Sequence, residues 1–218
     1  MANNDVGIGS GYPEIDFDAV DFVTSDQHFG HARIIELTGR PFADVEEMNR
    51  ALVENWNSVV GPEDTVLHLG DLALGHRDDT IPITAQLNGR KLLIPGNHDI
   101  ISSVYRAKET TKDNDRALLH AAGWEILPET VSGSRSGHAI LASHFPYEGD
   151  SHGADRFKEA RPVDTGLPLL HGHTHDTSCG PHGHEFHVGV DGNGFTPVAM
   201  SVIDEWLGSL EGSEARHG

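Results

Sequence analysis

The chain has 218 residues, 37% hydrophobic and 22% charged, with 25 Gly and 11 Pro, a balance that suits one large globular domain and excludes fibres and wholesale disorder. Fifteen Lys and Arg against 34 Asp and Glu give a formal charge of −19, which disfavours a generic binder of nucleic acid or of membrane surfaces. Sixteen His outnumber all the Lys and Arg together and point to metal or proton chemistry.

Along the chain, Met1 to Asp18 is rich in Gly, Asn and Asp without periodicity, and Gly208 to Gly218 is similar, so two tails are expected to flank a domain over 19–207. Val20–Thr24 predicts a strand running into Asp26 and His28, and a helix is predicted over His31–Leu37. Val45, Met48, Leu52, Trp56 and Val59 recur at steps of three and four. With Asp44 and Glu47 as a capping box and Gly61-Pro62 as a stop, they predict a well-defined helix. Thr65–Leu69 predicts a strand that leads into Asp71, part of Thr80–Leu87 is expected to be helical, and Lys91–Ile94 leads into Asn97, His98 and Asp99. In Ile100–Ala122 the basic Arg106, Lys108, Lys112 and Arg116 are diluted by Glu109, Asp113 and Asp115; a helix over Asp113–Ala122 and a small cap near the site are expected. Ala139–Ala142 runs into His144, Leu167–Leu170 into His173 and His175, and Ile203–Leu210 predicts a last helix.

Apolar strands alternating with helical patterns indicate an α/β domain. Five strands ending in metal-compatible side chains matter because ligands of α/β sheets bind beyond the carboxyl ends of strands. Asp26 and His28 lie two apart, as do His173 and His175, so persisting strand geometry would aim both members of each pair the same way. A carboxylate can bridge two cations, and His, Asp and Asn oxygen or nitrogen donors together suit borderline ions such as zinc, manganese or iron. The expectation is a two-metal site.

The ordered blocks Asp26-Gln27-His28, Gly70-Asp71, Gly96-Asn97-His98-Asp99, Ser143-His144 and Gly172-His173-Thr174-His175 resemble those of the calcineurin-like metallophosphoesterases. Asp26-Gln27-His28-Phe29-Gly30-His31 and Val188-Gly189-Val190-Asp191 look most like small bacterial and bacteriophage members. The resemblance spans Phe22 to Leu207 and implies a four-layer α-β-β-α sandwich of two mixed sheets. It implies that Asp26, His28 and His175 hold one metal, that Asn97, His144 and His173 hold the other, and that Asp71 bridges them. His98 would be catalytic beside the metals, with Asp99 fixing its ring. The cofactors implied are two divalent ions, among manganese, iron, zinc and nickel. They would lie about 3.5 to 4 Å apart and lower the pKa of a bridging water to hydroxide, with His98 as general acid worth about 10²- to 10⁴-fold.

The resulting expectation is a phosphoesterase acting on small phosphodiesters, cyclic nucleotides included, and on phosphomonoesters. A phosphoprotein phosphatase is disfavoured because Gly70-Asp71 is followed by Leu72-Ala73-Leu74-Gly75 and not by an Asp-Arg-Gly segment. The residue pattern also allows a nuclease of short single strands, a metal-binding scaffold without activity, and a His-rich store of nickel or zinc. Long duplex nucleic acid is an unsuitable partner for a chain of charge −19. His31 is a candidate substrate contact, as are Arg33, Arg40 and Arg135, whereas His171, His182, His184 and His187 are expected to be solvated loop or strand residues. Cys179 stands alone, so no intrachain disulfide can form. No apolar run nears the roughly 18 residues of a membrane span, and no basic residue precedes Arg33. A cytoplasmic location, the host cytoplasm if phage-encoded, is expected.

Overall fold

A computed structural model describes residues 10–151, 156–178 and 180–214; Cys179 lies outside them. The first strand, β1 (Glu14–Asp16), falls where the sequence suggests a tail to Asp18; it pairs in parallel with residues 132–134 and is followed by a 3-10 turn that buries Phe17. Next come β2 (Phe22–Thr24), α1 (Ala32–Thr38), α2 (Val45–Val59), β3 (Thr65–His68), the one-turn α3 (Arg77–Thr80) and a 3-10 stretch over Ile81–Gln86. They are followed by β4 (Arg90–Leu93), α4 (Glu109–Ala121), β5 (Trp124–Ile126), β6 (Thr130–Arg135) and β7 (His138–Ser143). The chain then forms β8 (Leu169–His171), β9 (Gly180–His182), β10 (Glu185–His187), β11 (Val198–Ala199) and α5 (Met200–Glu214). Thus α5 runs past Gly208, where a second tail is expected, because apolar Trp206 and Leu207 are buried and keep the helix docked.

Two mixed sheets result, ordered β1-β6-β7-β8-β10-β9 and β11-β2-β3-β4-β5. The parallel neighbours β2, β3 and β4 read as short apolar runs because both faces are covered. Alternation splits them: Val23, Leu67, Leu69, Leu92 and Ile94 face Val131, Ile140, Ala142, Leu170 and Val188 of the other sheet. Val66 and Leu93 point outward to α1, α2 and α4 through Ile34, Leu52, Trp56 and Leu119.

The outer face of the six-stranded sheet departs from the four-layer expectation. Leu141 and Leu169 are covered there by Tyr12, Tyr147 and Leu167, and among the described residues no α-helix contributes to that cluster. Instead α5 sends Met200, Ile203, Trp206 and Leu207 into the core between the sheets. Within the Ile100–Ala122 stretch α4 forms no cap, since it packs on β5 and the Ile81–Gln86 turn and buries Leu119 beside Trp124.

α2 follows its sequence signals. Asp44 Oδ1 accepts from the Glu47 N–H at 2.7 Å, and Glu47 reaches back to the Ala43 N–H at 2.6 Å. α1 stops at Gly39, whose left-handed φ of 70° turns the chain so that Arg40 passes back beneath the loop after β2.

Candidate metal centre

The expected metal and catalytic residues, and His31, lie on the loops leaving the carboxyl ends of β2, β3, β4, β7 and β8, so both sheets contribute. Strand alternation is not what aims the paired residues. β2 ends at Thr24 and β8 at His171, and Asp26, His28, His173 and His175 all adopt left-handed backbones, with φ of 63°, 55°, 69° and 53°. Asp71 does the same at 57°. Asp and His tolerate this region better than most residues, yet each instance stores about 1 to 3 kcal/mol of strain and persists only where its surroundings impose it. Here the imposition is hydrogen bonding. The Asp26 N–H donates to the Gly70 carbonyl (3.0 Å), His28 N–H to the Asp71 carbonyl (3.0 Å), Asp71 N–H to Asp99 Oδ2 (2.8 Å) and His173 N–H to Asp26 Oδ2 (3.0 Å). Close packing adds a steric constraint, since a Cβ on Gly96 would lie 2.3 Å from Asp71 Oδ1 and 2.8 Å from His144 Nδ1.

Asp71 is the geometric middle. Its Oδ2 lies 3.5 Å from His28 Nε2 and 3.9 Å from His98 Nε2, while Oδ1 lies 3.7 Å from His144 Nε2 and accepts from the His98 N–H. On one flank His28 Nε2 and His175 Nε2 are each 4.0 Å from Asp26 Oδ1. On the other, His144 Nε2 is 3.0 Å from Asn97 Oδ1, and the His144 and His173 rings are 5.1 Å apart. Asp26, His28 and His175 could hold an ion, as could Asp26, Asp71 and His144, because the ligand atoms of each trio lie within 4.8 Å of one another. A cation suits these groups. Asp26 Oδ1 and His28 Nε2 are buried without any hydrogen-bond partner, and such orphans are rare unless an ion, water or substrate completes them.

The outer contacts orient this set. Nδ1 of His144 meets the Leu69 carbonyl at 2.7 Å, Nδ1 of His175 meets Asp191 Oδ2 at 2.8 Å, and the Ser25 hydroxyl donates to Asp26 Oδ2 at 2.6 Å. Asp99 does not grip the His98 ring as expected. Its oxygens accept from the N–H groups of Asp71, Leu72 and Gly96, so it pins the β3 loop to the β4 loop.

Burial drives the electrostatics. It pushes His28 well below the usual imidazole range, with His175 and Arg40 adding to the effect, and together with His144 it takes His173 down to about 3. His98 is lowered for the same first reason. Burial, reinforced by the Asp26 charge, raises Asp71 to about 6; burial and Asp71 raise Asp99 to about 7. Burial opposes ionisation of Asp26 too, but His175, His144 and the Ser25 hydroxyl outweigh it and hold the carboxyl well below the carboxylate range. His175 is raised because its Asp191 bond and the Asp26 charge overcome desolvation. Neutral imidazoles beside carboxylates form a donor set for a divalent ion.

The remaining candidates divide. His31 caps α1 with its ring 5.3 Å from that of His28 and 6.2 Å from that of His98, so it borders the centre. Arg40 is buried and cannot serve as a free phosphate contact: its guanidinium bonds Asp191, the Asp26 and Gln27 carbonyls and Met48 Sδ. Arg135 pairs with Asp204, and Arg33 is exposed. His182 is exposed and His184 meets Asp164 at 3.1 Å, as solvated residues do. His171 and His187, by contrast, are buried with rings 5.5 Å apart.

Several contributors carry no advance signal. Asp150, fixed by Arg156 at 2.7 Å, places Oδ1 3.3 Å from His173 Nε2, yet nothing in its local sequence marks it. His68 lies under the centre, with Nε2 on Gln27 Oε1 and Nδ1 accepting from the Gly70 N–H. Asp191 had a signal, the Val188-Gly189-Val190-Asp191 block, without a role attached. A cleft of about 770 Å³, lined by Tyr12, Val104, Pro128, Phe157 and Val163 among others, adjoins the centre at Phe157, whose ring is 5.8 Å from that of His173.

No protein-family model matches the chain. It is 38% identical over 211 residues to the gene 66 protein of Mycobacterium phage L5, covering 89% of this chain and 97% of that protein. The gene 66 protein of Mycobacterium phage D29 is 37% identical over 204 residues, with 86% and 96% covered. Among solved structures, a protein of unknown function from Aquifex aeolicus superposes with a TM-score of 0.61 at 26% identity, over 85% of this chain and 97% of that one.

Proposed function

The chain belongs to the family of the mycobacteriophage gene 66 proteins, and from the centre it carries we propose that it is a phosphoesterase of the calcineurin-like kind, dependent on two divalent ions and acting on small phosphodiesters and on phosphomonoesters. The observation that carries this reading is the Asp71 carboxylate, with Oδ2 turned to His28 and Oδ1 to His144. One carboxylate shared by two donor clusters suits a pair of ions.

In this reading Asp26, His28 and His175 hold one ion, Asn97, His144 and His173 hold the other, and Asp71 spans them. Bound there, the ions supply Lewis acidity, drawing charge from phosphoryl oxygens and making water acidic near neutral pH. In this reading His98 moves a proton. Its side chain is 43% accessible, so an ester oxygen can reach the ring from solvent, while its backbone N–H is tied to Asp71 Oδ1. Hydrolysis leaves negative charge on the departing oxygen, and protonation there by His98 is worth about 10²- to 10⁴-fold, or roughly 3 to 5 kcal/mol. In this reading His31, on the same border, donates to a phosphate oxygen. The cleft beside Phe157 gives room for the remainder of an ester, and its partly apolar lining favours a compact organic group over a polyanionic backbone.

The test is hydrolysis of nitrophenyl monoesters, nitrophenyl diesters and 2′,3′- and 3′,5′-cyclic nucleotides by chelator-stripped protein resupplied with manganese, zinc, nickel or iron(II). Hydrolysis restored by at least one of these ions is expected. Tight uptake of ions with no hydrolysis of any ester would leave a metal-binding scaffold and overturn the proposal.

A further inference from the structure

We propose that Asp191, clamped by Arg40, is a positioning residue that fixes the tautomer and aim of His175, so that one flank of the centre is organised before an ion arrives. This rests on reading His175 as a metal ligand and takes that reading a layer outward.

The contacts form one chain. Asp191 Oδ2 accepts from His175 Nδ1 at 2.8 Å, so the ring proton sits on Nδ1 and the lone pair is left on Nε2, which faces Asp26 Oδ1 across 4.0 Å. Asp191 is itself gripped bidentately: Arg40 Nε donates to Oδ1 at 2.8 Å and Nη2 to Oδ2 at 2.9 Å. The same guanidinium donates from Nη2 to the Asp26 carbonyl (2.7 Å) and from Nη1 to the Gln27 carbonyl (2.8 Å) and Met48 Sδ (3.5 Å). All five of its N–H donors are thus engaged, and none is left for substrate. Arg40 and Asp191 side chains are 0% and 2% exposed, so solvent neither screens the pair nor competes for it.

One buried cation therefore ties together the turn that presents Asp26 and the carboxylate that orients His175, although Arg40 and Asp191 are 151 residues apart in sequence. A pair of this kind placed only for stability would have no reason to engage a ring nitrogen of the candidate ligand and the carbonyls of Asp26 and Gln27 at once. A carboxylate on the far nitrogen of a ligating imidazole sets its tautomer and raises its basicity, and removing such a partner typically weakens metal affinity about 10- to 100-fold.

The experiment is calorimetric titration of manganese into chelator-stripped wild-type and Asp191→Asn protein, with circular dichroism as the check on folding. An Asn must turn its amide NH₂ against Arg40 in either orientation, since Arg40 donates to both oxygens of Asp191, so the clamp breaks while the volume is kept. One of two tight binding events should weaken about 10- to 100-fold and the other should keep its affinity, and Arg40→Lys, which retains charge but loses the fork, should weaken the same event. Wild-type affinity at both events, or equal loss at both, overturns the proposal. Should Asp191→Asn not fold, ¹⁵N imidazole spectra of the metal-free wild type at alkaline pH decide: His175 protonated at Nδ1 is expected, and protonation at Nε2 overturns it. Neither readout uses hydrolysis, so an enzyme inert toward every ester but showing the selective loss would sink the phosphoesterase reading and leave this one standing.

Discussion

Asp71 carries the most consequential chemistry at the scale of single residues. With its carboxyl raised to about 6 by burial, ions arriving below that pH must displace a proton. Apparent manganese affinity should therefore carry a component that falls up to about tenfold per pH unit below about 6, added to that of the proton that His175, with its raised pKa, must release at higher pH. In Asp71→Asn both binding events should weaken and the component below about pH 6 should disappear while that of His175 stays; two ions bound with normal affinity would remove Asp71 from its central role. His98 gives a second prediction with the opposite sense of titration. Its pKa lies below the ordinary imidazole value, so the protonated form that donates to a leaving oxygen is lost on raising pH sooner than for a free imidazole. kcat should decline with rising pH from a point below 6.5, and His98→Ala should abolish that limb while slowing turnover about 10²- to 10⁴-fold and keeping the metal content. Loss of the metals along with activity would make His98 a ligand.

Much at this scale is legible in the linear chain because donors such as Asp26, His28, His173 and His175 announce themselves by residue type and by position after apolar runs. What cannot be read is support. Asp150 lies in a polar stretch without periodicity, and its approach to His173 depends on the path of the chain after β7. Arg40 looks like a surface cation until Gly39 turns it inward.

Elements follow local rules where local signals are strong. The α2 stripe and cap reproduce Val45–Val59 to the residue, and the cap supplies a control: Asp44→Ala should lower stability by about 0.5 to 2 kcal/mol in denaturant unfolding without changing metal affinity. A loss of affinity in that variant would show that α2 transmits strain to the centre. Strands β1, β5, β9, β10 and β11 are two or three residues long, too short for alternation to rise above coil, and they form because neighbouring strands offer unpaired backbone groups. β10 illustrates this, with Phe186 between two polar residues yet paired on both sides, in parallel with β8 and antiparallel with β9.

For the whole molecule, the α/β class is legible, since apolar runs alternate with helical patterns, and the two mixed sheets are legible only through the family resemblance; the placement of helices is not. Hydrophobic periodicity says that a helix buries a stripe, not which sheet face receives it, and α5 spends its stripe between the sheets. The overall charge of −19 acts on this scale too. An anionic ester meets a repelling surface before it meets the centre, so added salt should lower KM by screening while leaving kcat nearly constant. A KM that rises with salt would mean that attraction by local cations dominates the encounter.

The left-handed backbones at five of the candidate donors narrow how this centre can be re-engineered. Swapping a ligand to change metal preference costs least with Asp, Asn, His or Gly at positions 26, 28, 71, 173 and 175, because a Cβ there crowds the following carbonyl and these residues bear that backbone better than most. Softer-metal designs that put cysteine at those positions start with a handicap unrelated to thiolate chemistry, whereas Asn97 and His144, outside that set of turns, are the natural first sites for such trials.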